Sequence, residues 1–293
     1  MEITGKTKVY GIMGCPITHS LSPVFQAYFA RQYDLDLIYA PFRVEAEGIK
    51  VALEGLAASG VQGLNVTVPH KESVLPYVHA DEDVRCIGAA NTLIQKSNIW
   101  YAFNTDWQGV AKVLQGTSLP LQGSSLLLFG AGGTARAVLH AAHAQGIAHI
   151  MICNRSSERV GTLIAHAKKY YSSILCTNIG WNQANVTSAC GEASIVINTT
   201  SIGLADDDTF PFDVSGNGWA MDAVYKPSGQ TVFGKAVKKR RFVDGLPMLI
   251  AQGAASFSIW HPGSNPDTLS ALTWMEEKLM RETTRLPSWE DCT

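Results

Sequence analysis

Polar side chains able to do chemistry stand in four short runs of this chain. Asn65-Val66-Thr67-Val68-Pro69-His70-Lys71 sets an amide, a hydroxyl and an ammonium around a valine strand. Asn91-Thr92 follows a Gly-Ala-Ala turn, Asn104-Thr105-Asp106 ends a strand-like stretch, and Ser20-Leu21-Ser22-Pro23 puts two hydroxyls at a helix entry. A lysine suits a reacting oxygen that gains negative charge, because its ammonium stabilises that charge and supplies a proton. In the reverse direction the neutral amine takes the proton back. A carboxylate beside it favours the ammonium form, so Asp106 suits orienting Lys71 better than activating it as a base. Singly, a lysine is usually solvated and an aspartate usually a cap. Gathered at the strand ends of a parallel sheet they indicate a ligand site, because open α/β sheets bind ligands beyond the carboxyl ends of their strands.

A second constellation is built from small residues. The apolar run Leu126-Leu127-Leu128-Phe129 leads into Gly130-Ala131-Gly132-Gly133-Thr134-Ala135, a G-x-G-x-x-A turn that opens an alanine-rich helix. Gly130 permits the tight turn, Gly132 lets a pyrophosphate approach the backbone, and Ala135 lets the helix pack close on the strand. The helix start then offers N–H groups and a positive dipole end to phosphates. After the next strand an NAD site would carry an acidic residue for the ribose 2′-hydroxyl. Here Asn154-Arg155-Ser156 follows instead, with Glu158 past the strand end and Arg159 close enough to add a second charge. A guanidinium fits a 2′-phosphate, so the expected cofactor is NADP.

These residues need elements to hold them. Apolar runs at 9–13, 37–39, 63–68, 126–129, 147–153, 194–198 and 219–224 predict strands. Helical spacing at 23–31, 49–58 and 135–145 predicts helices between them, and the alternation implies a mostly parallel sheet. Ser22-Pro23 predicts a helix start with serine as cap. A helix over 107–114 and a loop-like stretch at 115–123 predict a boundary after Asp106. The strand rhythm is expected to stop at Lys238-Lys239-Arg240-Arg241, with helices at 246–260 and 265–281 and a frayed tail over 287–293.

Composition sets the outer limits. With 293 residues, 46% apolar and 16% charged, the chain is too apolar to be disordered and long enough for roughly two domains of about 150 residues. A formal net charge of -2 offers no basic face for nucleic acid. No apolar run approaches the ~20 residues of a membrane span. Cys15, Cys86, Cys153, Cys176, Cys190 and Cys292 form no Cys-x-x-Cys pair, and His140 and His143 lack a third ligand, so no metal is expected. The first residues show no apolar stretch after a basic start, so no signal peptide and a cytoplasmic location are expected.

In order, these runs resemble the signatures of the shikimate dehydrogenase family. Asn198-Thr199-Thr200-Ser201-Ile202-Gly203, Asp222-Ala223-Val224-Tyr225-Lys226-Pro227 and Asp244-Gly245-Leu246-Pro247-Met248, running on to Gln252, complete the match from about residue 9 to about residue 260. The resemblance implies two α/β domains. A substrate domain with a mostly parallel sheet would span 1–107 plus 246–293, its C-terminal helices returning to it, and a Rossmann NADP-binding domain would span 108–245. It implies reversible reduction of 3-dehydroshikimate to shikimate with NADPH, a step of aromatic amino acid biosynthesis. By the same resemblance Ser20, Ser22 and Tyr225 hold the substrate carboxylate with Thr67 beside them. Asn65, Lys71, Asn91, Asp106 and Gln252 read the ring hydroxyls, and Lys71 and Asp106 form the catalytic pair. Thr199, Gly245 and Met248 join the glycine turn at the cofactor. The expected partner is a small ring acid, bound by a monomer or homodimer.

The chain departs from the family pattern at Gln26, Ala90, Trp107, Thr134 and Ala223, which leaves substrate choice open. Trp107 either trims the pocket or packs as a hinge residue. The alternatives are a paralogue acting on quinate or another polyhydroxy ring acid, and a noncatalytic dinucleotide-binding regulator.

Overall fold

The apolar runs become the strands of separate sheets. The computed structural model describes residues 2–205, 207–282, 284 and 286–290; Cys292 and the end of the expected frayed tail lie outside the described residues. The chain divides into two compact units, Met1–Gly109 with Leu249–Ala271, and Val110–Met248 with Leu272–Thr293.

The first unit runs β1 (Lys8–Gly14), α1 (Ser22–Gln32), β2 (Leu37–Arg43), α2 (Ile49–Ala58), β3 (Gly63–Val66), α3 (His70–Ser73), β4 (His79–Ala80), α4 (Glu82–Ile87), β5 (Thr92–Lys96), β6 (Ile99–Phe103) and the start of α5 (Asp106–Gly116). Its sheet has the order β2-β1-β3-β5-β6-β4. β1, β2 and β3 are parallel, as expected, whereas β5 and β6 form an antiparallel hairpin that the apolar runs did not reveal. That hairpin carries Thr92 to the level of Asn65 on β3, and Phe103 to the level of Thr92. The residues around the end of β3, the start of β5 and the end of β6 therefore converge on one edge of the sheet. Met13, Leu53, Leu64, Val66, Leu93 and Ala102 form the core beneath it.

The second unit continues with β7 (Ser125–Phe129), α6 (Gly133–Ala144), β8 (His149–Cys153), α7 (Ser157–Tyr170), β9 (Leu175–Ile179), α8 (Gln183–Glu192), β10 (Ile195–Asn198), β11 (Val214–Ser215), β12 (Trp219–Asp222), α9 (Val232–Ala236), β13 (Val237–Lys238) and β14 (Arg241–Val243). The chain then forms α10 (Leu246–Trp260), α11 (Thr268–Leu279) and α12 (Pro287–Glu290). The main sheet of this unit has the order β14-β12-β10-β7-β8-β9, and all its pairings are parallel. This is the doubly wound order, with its switch point between β7 and β10. Burial on both faces explains the unbroken apolar run of β7. Leu127, Phe129, Val196 and Ala220 share a core with Phe212 and Phe233.

Several expectations change. Ser22 is the first residue of α1 and does not cap it; Leu21 stands at the cap, and the buried Ser22 is left for another role. The strand rhythm does not stop at the basic run, since β14 begins at Arg241. Lys238 pairs with Asp213 at 2.7 Å, while the buried Arg240 donates to the carbonyls of Cys190 and Ala193 at the end of α8. A cation there complements the negative end of the helix dipole. The tail folds through 290 as α12, with Leu286 and Trp289 buried near Gly116. The described residues from Leu272 onward cluster with the second unit. The buried pair Arg281–Asp244 at 2.8 Å helps hold them there. Among the described residues no helix is long and apolar enough to cross a membrane.

Candidate active site

Lys71 and Asp106 are 35 positions apart in sequence and meet at 2.6 Å between Nζ and Oδ2. Lys71 sits on α3, which is pinned on three sides. His70 N–H donates to Thr67 O at 2.9 Å, Ala90 N–H to Lys71 O at 2.8 Å, and the buried His70 ring meets Val44 O at 2.6 Å. Asp106 opens α5 and is 3% exposed, so its carboxylate has little solvent to compete with its partners. Its other oxygen, Oδ1, accepts from Asn91 Nδ2 at 2.9 Å. The same nitrogen reaches Gln252 Oε1 at 3.0 Å. Lys71, Asp106, Asn91 and Gln252 thus form one hydrogen-bonded group.

Asn65 is placed differently. Its Oδ1 accepts from Tyr39 at 2.7 Å, and its Nδ2 is shared among Asn91 O, Thr92 Oγ1 and Ser256 Oγ at 3.0–3.2 Å. At 4% exposure this amide is occupied inside the unit and acts as a strut behind the group. Burial pushes the Tyr39 phenol well above its ordinary range, which keeps it a proton donor, and its hydroxyl is also bonded to Ser22. Ser20 Oγ accepts from Ser22 N–H at 3.2 Å, and Thr67 stands half-buried just beyond β3. Thr92, Thr105, Tyr39 and Ser256 were not among the expected site residues. Ser256 had one signal: it lies four positions after Gln252, on the same face of a helix. Gln26 stays out of this group, its Nε2 donating to Gly253 O at 3.0 Å between α1 and α10. Trp107 is half-buried in the first turn of α5.

The glycine turn of the second unit fits a dinucleotide. Gly130 has φ +109°, and a Cβ there would collide with Thr199, whose Oγ1 donates to Phe129 O at 2.8 Å. The tip of β7 and the tip of β10 are thereby joined at the switch point. At Gly132, the N-cap of α6, no side chain caps the helix and an added Cβ would meet nothing within 4 Å. Open space in front of free N–H groups is what a phosphate requires. Ala131, Gly133 and Thr134 are half-buried around the turn, and Ala135 is buried against the strand. Arg155 and Arg159 are exposed at the end of β8 and the start of α7, where Ser156 caps the helix and Asn154 Nδ2 donates to Ser156 O at 3.1 Å. Gly245 N–H donates to Val224 O at 3.0 Å, which ties it to the loop carrying Ala223 and Tyr225; Met248 is buried two residues into α10.

That loop leaves β12 beside an aspartate with unusual chemistry. Asn198 and Asp222 are register partners, and Asp222 Oδ1 accepts from Asn198 Nδ2 at 2.9 Å and Val224 N–H at 3.0 Å. Burial pushes the Asp222 carboxyl up to about 7, against the hydrogen bonds from Thr231, Val224 and Asn198 that favour the anion. The folded state thus holds a proton that the unfolded chain, near 3.8, releases. This contribution is fully present below the unfolded value and is lost as pH rises toward 7. About three pH units correspond to about 4 kcal/mol. Asp222→Asn is expected to raise Tm by several degrees at pH 8 and by much less at pH 5. Equal changes in thermal melts at both pH values would clear the carboxyl of this effect.

Known proteins resemble this chain over most of its length. Residues 12–93 match the shikimate dehydrogenase substrate binding domain, and residues 112–213 match the shikimate / quinate 5-dehydrogenase model. A shikimate dehydrogenase (NADP(+)) of Aquifex aeolicus is 36% identical over 265 residues, covering 88% of this chain and 93% of the relative. A crystal structure of shikimate dehydrogenase from Aquifex aeolicus superposes with a TM-score of 0.81 at 32% identity, covering 96% of this chain and all of the other. Shikimate 5-dehydrogenase from Thermus thermophilus, solved in complex with NADP(H) and shikimate, gives 0.75 at 29% identity, covering 94% and 99%. The chain belongs to the shikimate dehydrogenase family.

Proposed function

We propose that this chain is an NADP-dependent oxidoreductase that interconverts 3-dehydroshikimate and shikimate. The observation that carries the reading is the Lys71–Asp106 pair at 2.6 Å, braced by Asn91 and Gln252 at the ligand-binding edge of its sheet. The cofactor supplies a hydride to the ketone carbon when it is bound. Lys71 Nζ stabilises the charge that develops on the ketone oxygen and delivers the proton that completes the hydroxyl. In the oxidative direction neutral Nζ removes that proton. Asp106 holds Nζ in place and Asn91 holds Asp106. Ser20, Ser22 and Tyr225 take the ring carboxylate, with Thr67 beside them. Gly130, Gly132 and the start of α6 take the pyrophosphate. Arg155 and Arg159, with Asn154 and Ser156 between strand and helix, take the 2′-phosphate. The proposal includes a cytoplasmic monomer or homodimer.

A kinetic matrix of shikimate and quinate, each with NADP+ and NAD+, tests this. The highest kcat/KM is expected for shikimate with NADP+. A preference for quinate with NAD+ overturns both the substrate and the cofactor, and NADPH binding without turnover of any ring acid overturns catalysis. Arg155→Ala is expected to raise KM for NADP+ by about 10- to 100-fold, the scale of lost charge-assisted hydrogen bonds, with NAD+ little affected. An equal rise for both nucleotides would take Arg155 away from the 2′-phosphate.

A further inference from the structure

Behind the Lys71–Asp106 pair lies a cluster of three buried hydroxyls that the family resemblance leaves without a role. Thr92, Thr105 and Ser256 each show no exposed surface. Their oxygens are 2.8 Å apart between Thr92 and Ser256, 3.0 Å between Thr105 and Ser256, and 3.2 Å between Thr92 and Thr105. The cluster backs onto Asn91, whose orientation is fixed by a group that can only donate: Thr105 N–H reaches Asn91 Oδ1 at 2.7 Å. The Asn91 NH2 group must then point the other way. It faces three acceptors, Thr105 Oγ1 at 2.9 Å, Asp106 Oδ1 at 2.9 Å and Gln252 Oε1 at 3.0 Å.

An amide nitrogen carries two protons, so three acceptors cannot all be served by Asn91. Thr105 Oγ1 is the one with other close hydroxyls, Ser256 at 3.0 Å and Thr92 at 3.2 Å, and the Thr92 hydroxyl also donates to Asn91 Oδ1 at 3.1 Å. The Ser256 hydroxyl has a second acceptor in Gln252 O at 3.0 Å, four residues back in α10, so its proton is shared between that carbonyl and Thr105 Oγ1. We propose that Ser256 is a positioning residue for the catalytic pair: its hydroxyl serves Thr105 Oγ1 and thereby leaves both Asn91 amide protons to Asp106 and Gln252. Without it, Thr105 Oγ1 draws on an Asn91 proton, and Asp106 or Gln252 loses a bond in a buried site where orientation matters.

The proposal rests on the dehydrogenase reading, so its test includes a measurement that needs no turnover. Ser256→Ala is made in the wild-type chain and in a Thr105→Val background, where the acceptor Ser256 serves is gone. In the wild-type background kcat/KM for shikimate is expected to fall about tenfold, one hydrogen bond's worth, with KM for NADP+ unchanged. In the Thr105→Val background the further loss is expected to stay below about twofold. The Asn91 side-chain NH2 signal in 15N-asparagine-labelled protein, assigned by its disappearance in Asn91→Asp, is expected to move in Ser256→Ala. Equal losses in both backgrounds, or an unmoved Asn91 signal, overturn the positioning role. A wild-type protein inactive on both ring acids overturns the dehydrogenase reading instead, and the Asn91 signal still decides on Ser256.

Discussion

Replacing Lys71 by alanine is expected to lower kcat for shikimate oxidation by about 100-fold or more, the scale of positioned acid–base catalysis. The dissociation constant for NADPH should hardly change, because the glycine turn and Arg155, the proposed cofactor site, lie in the other unit. Lys71→Arg sharpens the result. Arginine keeps a positive charge for Asp106 at this position, which now pairs at 2.6 Å, yet it cannot give up a proton near neutral pH. If Nζ only stabilised charge, the arginine variant would keep much of its activity. If Nζ moves the proton, the arginine variant should be as slow as alanine in oxidation. Single-turnover kinetics in both directions separate these outcomes, and an unchanged kcat in Lys71→Ala would remove the lysine from the mechanism.

The second large effect is on stability. Arg281 grips Asp244 with two parallel hydrogen bonds, Nη1 to Oδ2 at 2.8 Å and Nη2 to Oδ1 at 3.0 Å, and their side chains are 6% and 1% exposed. Burial pushes the Asp244 carboxyl up, and the guanidinium counters it. Arg281→Ala leaves a buried carboxylate without its cation, a change that costs about 3–5 kcal/mol. For a domain of this size that corresponds to a fall in Tm of roughly 10 °C. The deficit should shrink at acid pH, where the orphaned Asp244 takes a proton, and Asp244→Asn in the same chain should recover part of it. A Tm within 2 °C of wild type at pH 7 would mean that the pair is replaceable. Asp244 Oδ1 also accepts from Leu246 N–H at 3.2 Å, so the start of α10 is expected to loosen along with stability.

Much of the fold was legible because its elements are local. Helices predicted at 49–58 and 246–260 form as Ile49–Ala58 and Leu246–Trp260, since spacing of apolar residues encodes a buried face directly. The hairpin of β5 and β6 was not legible. Burial alternates along β6, but the antiparallel partner is set by tertiary pairing. Arg240 shows the same limit: within a run of four basic residues nothing marks the one that is buried under a helix end.

The sequence by itself determined the glycine turn of this protein and the set of polar residues on which the proposed chemistry rests. Strand, glycine turn and helix are contiguous from Ser125 to Ala144, so backbone sterics alone require small residues at Gly130 and Ala135. The residue types of Lys71, Asp106, Asn91 and Gln252 likewise stood in the sequence as a set. Only the tertiary structure decided how they are held. It turned Asn65 inward, set Ser256 behind Asn91, and bound Arg281 to Asp244 from 37 positions away. Hydrogen bonds between distant residues leave no period in a sequence. They arise where buried polar groups must find partners once the chain has closed around them.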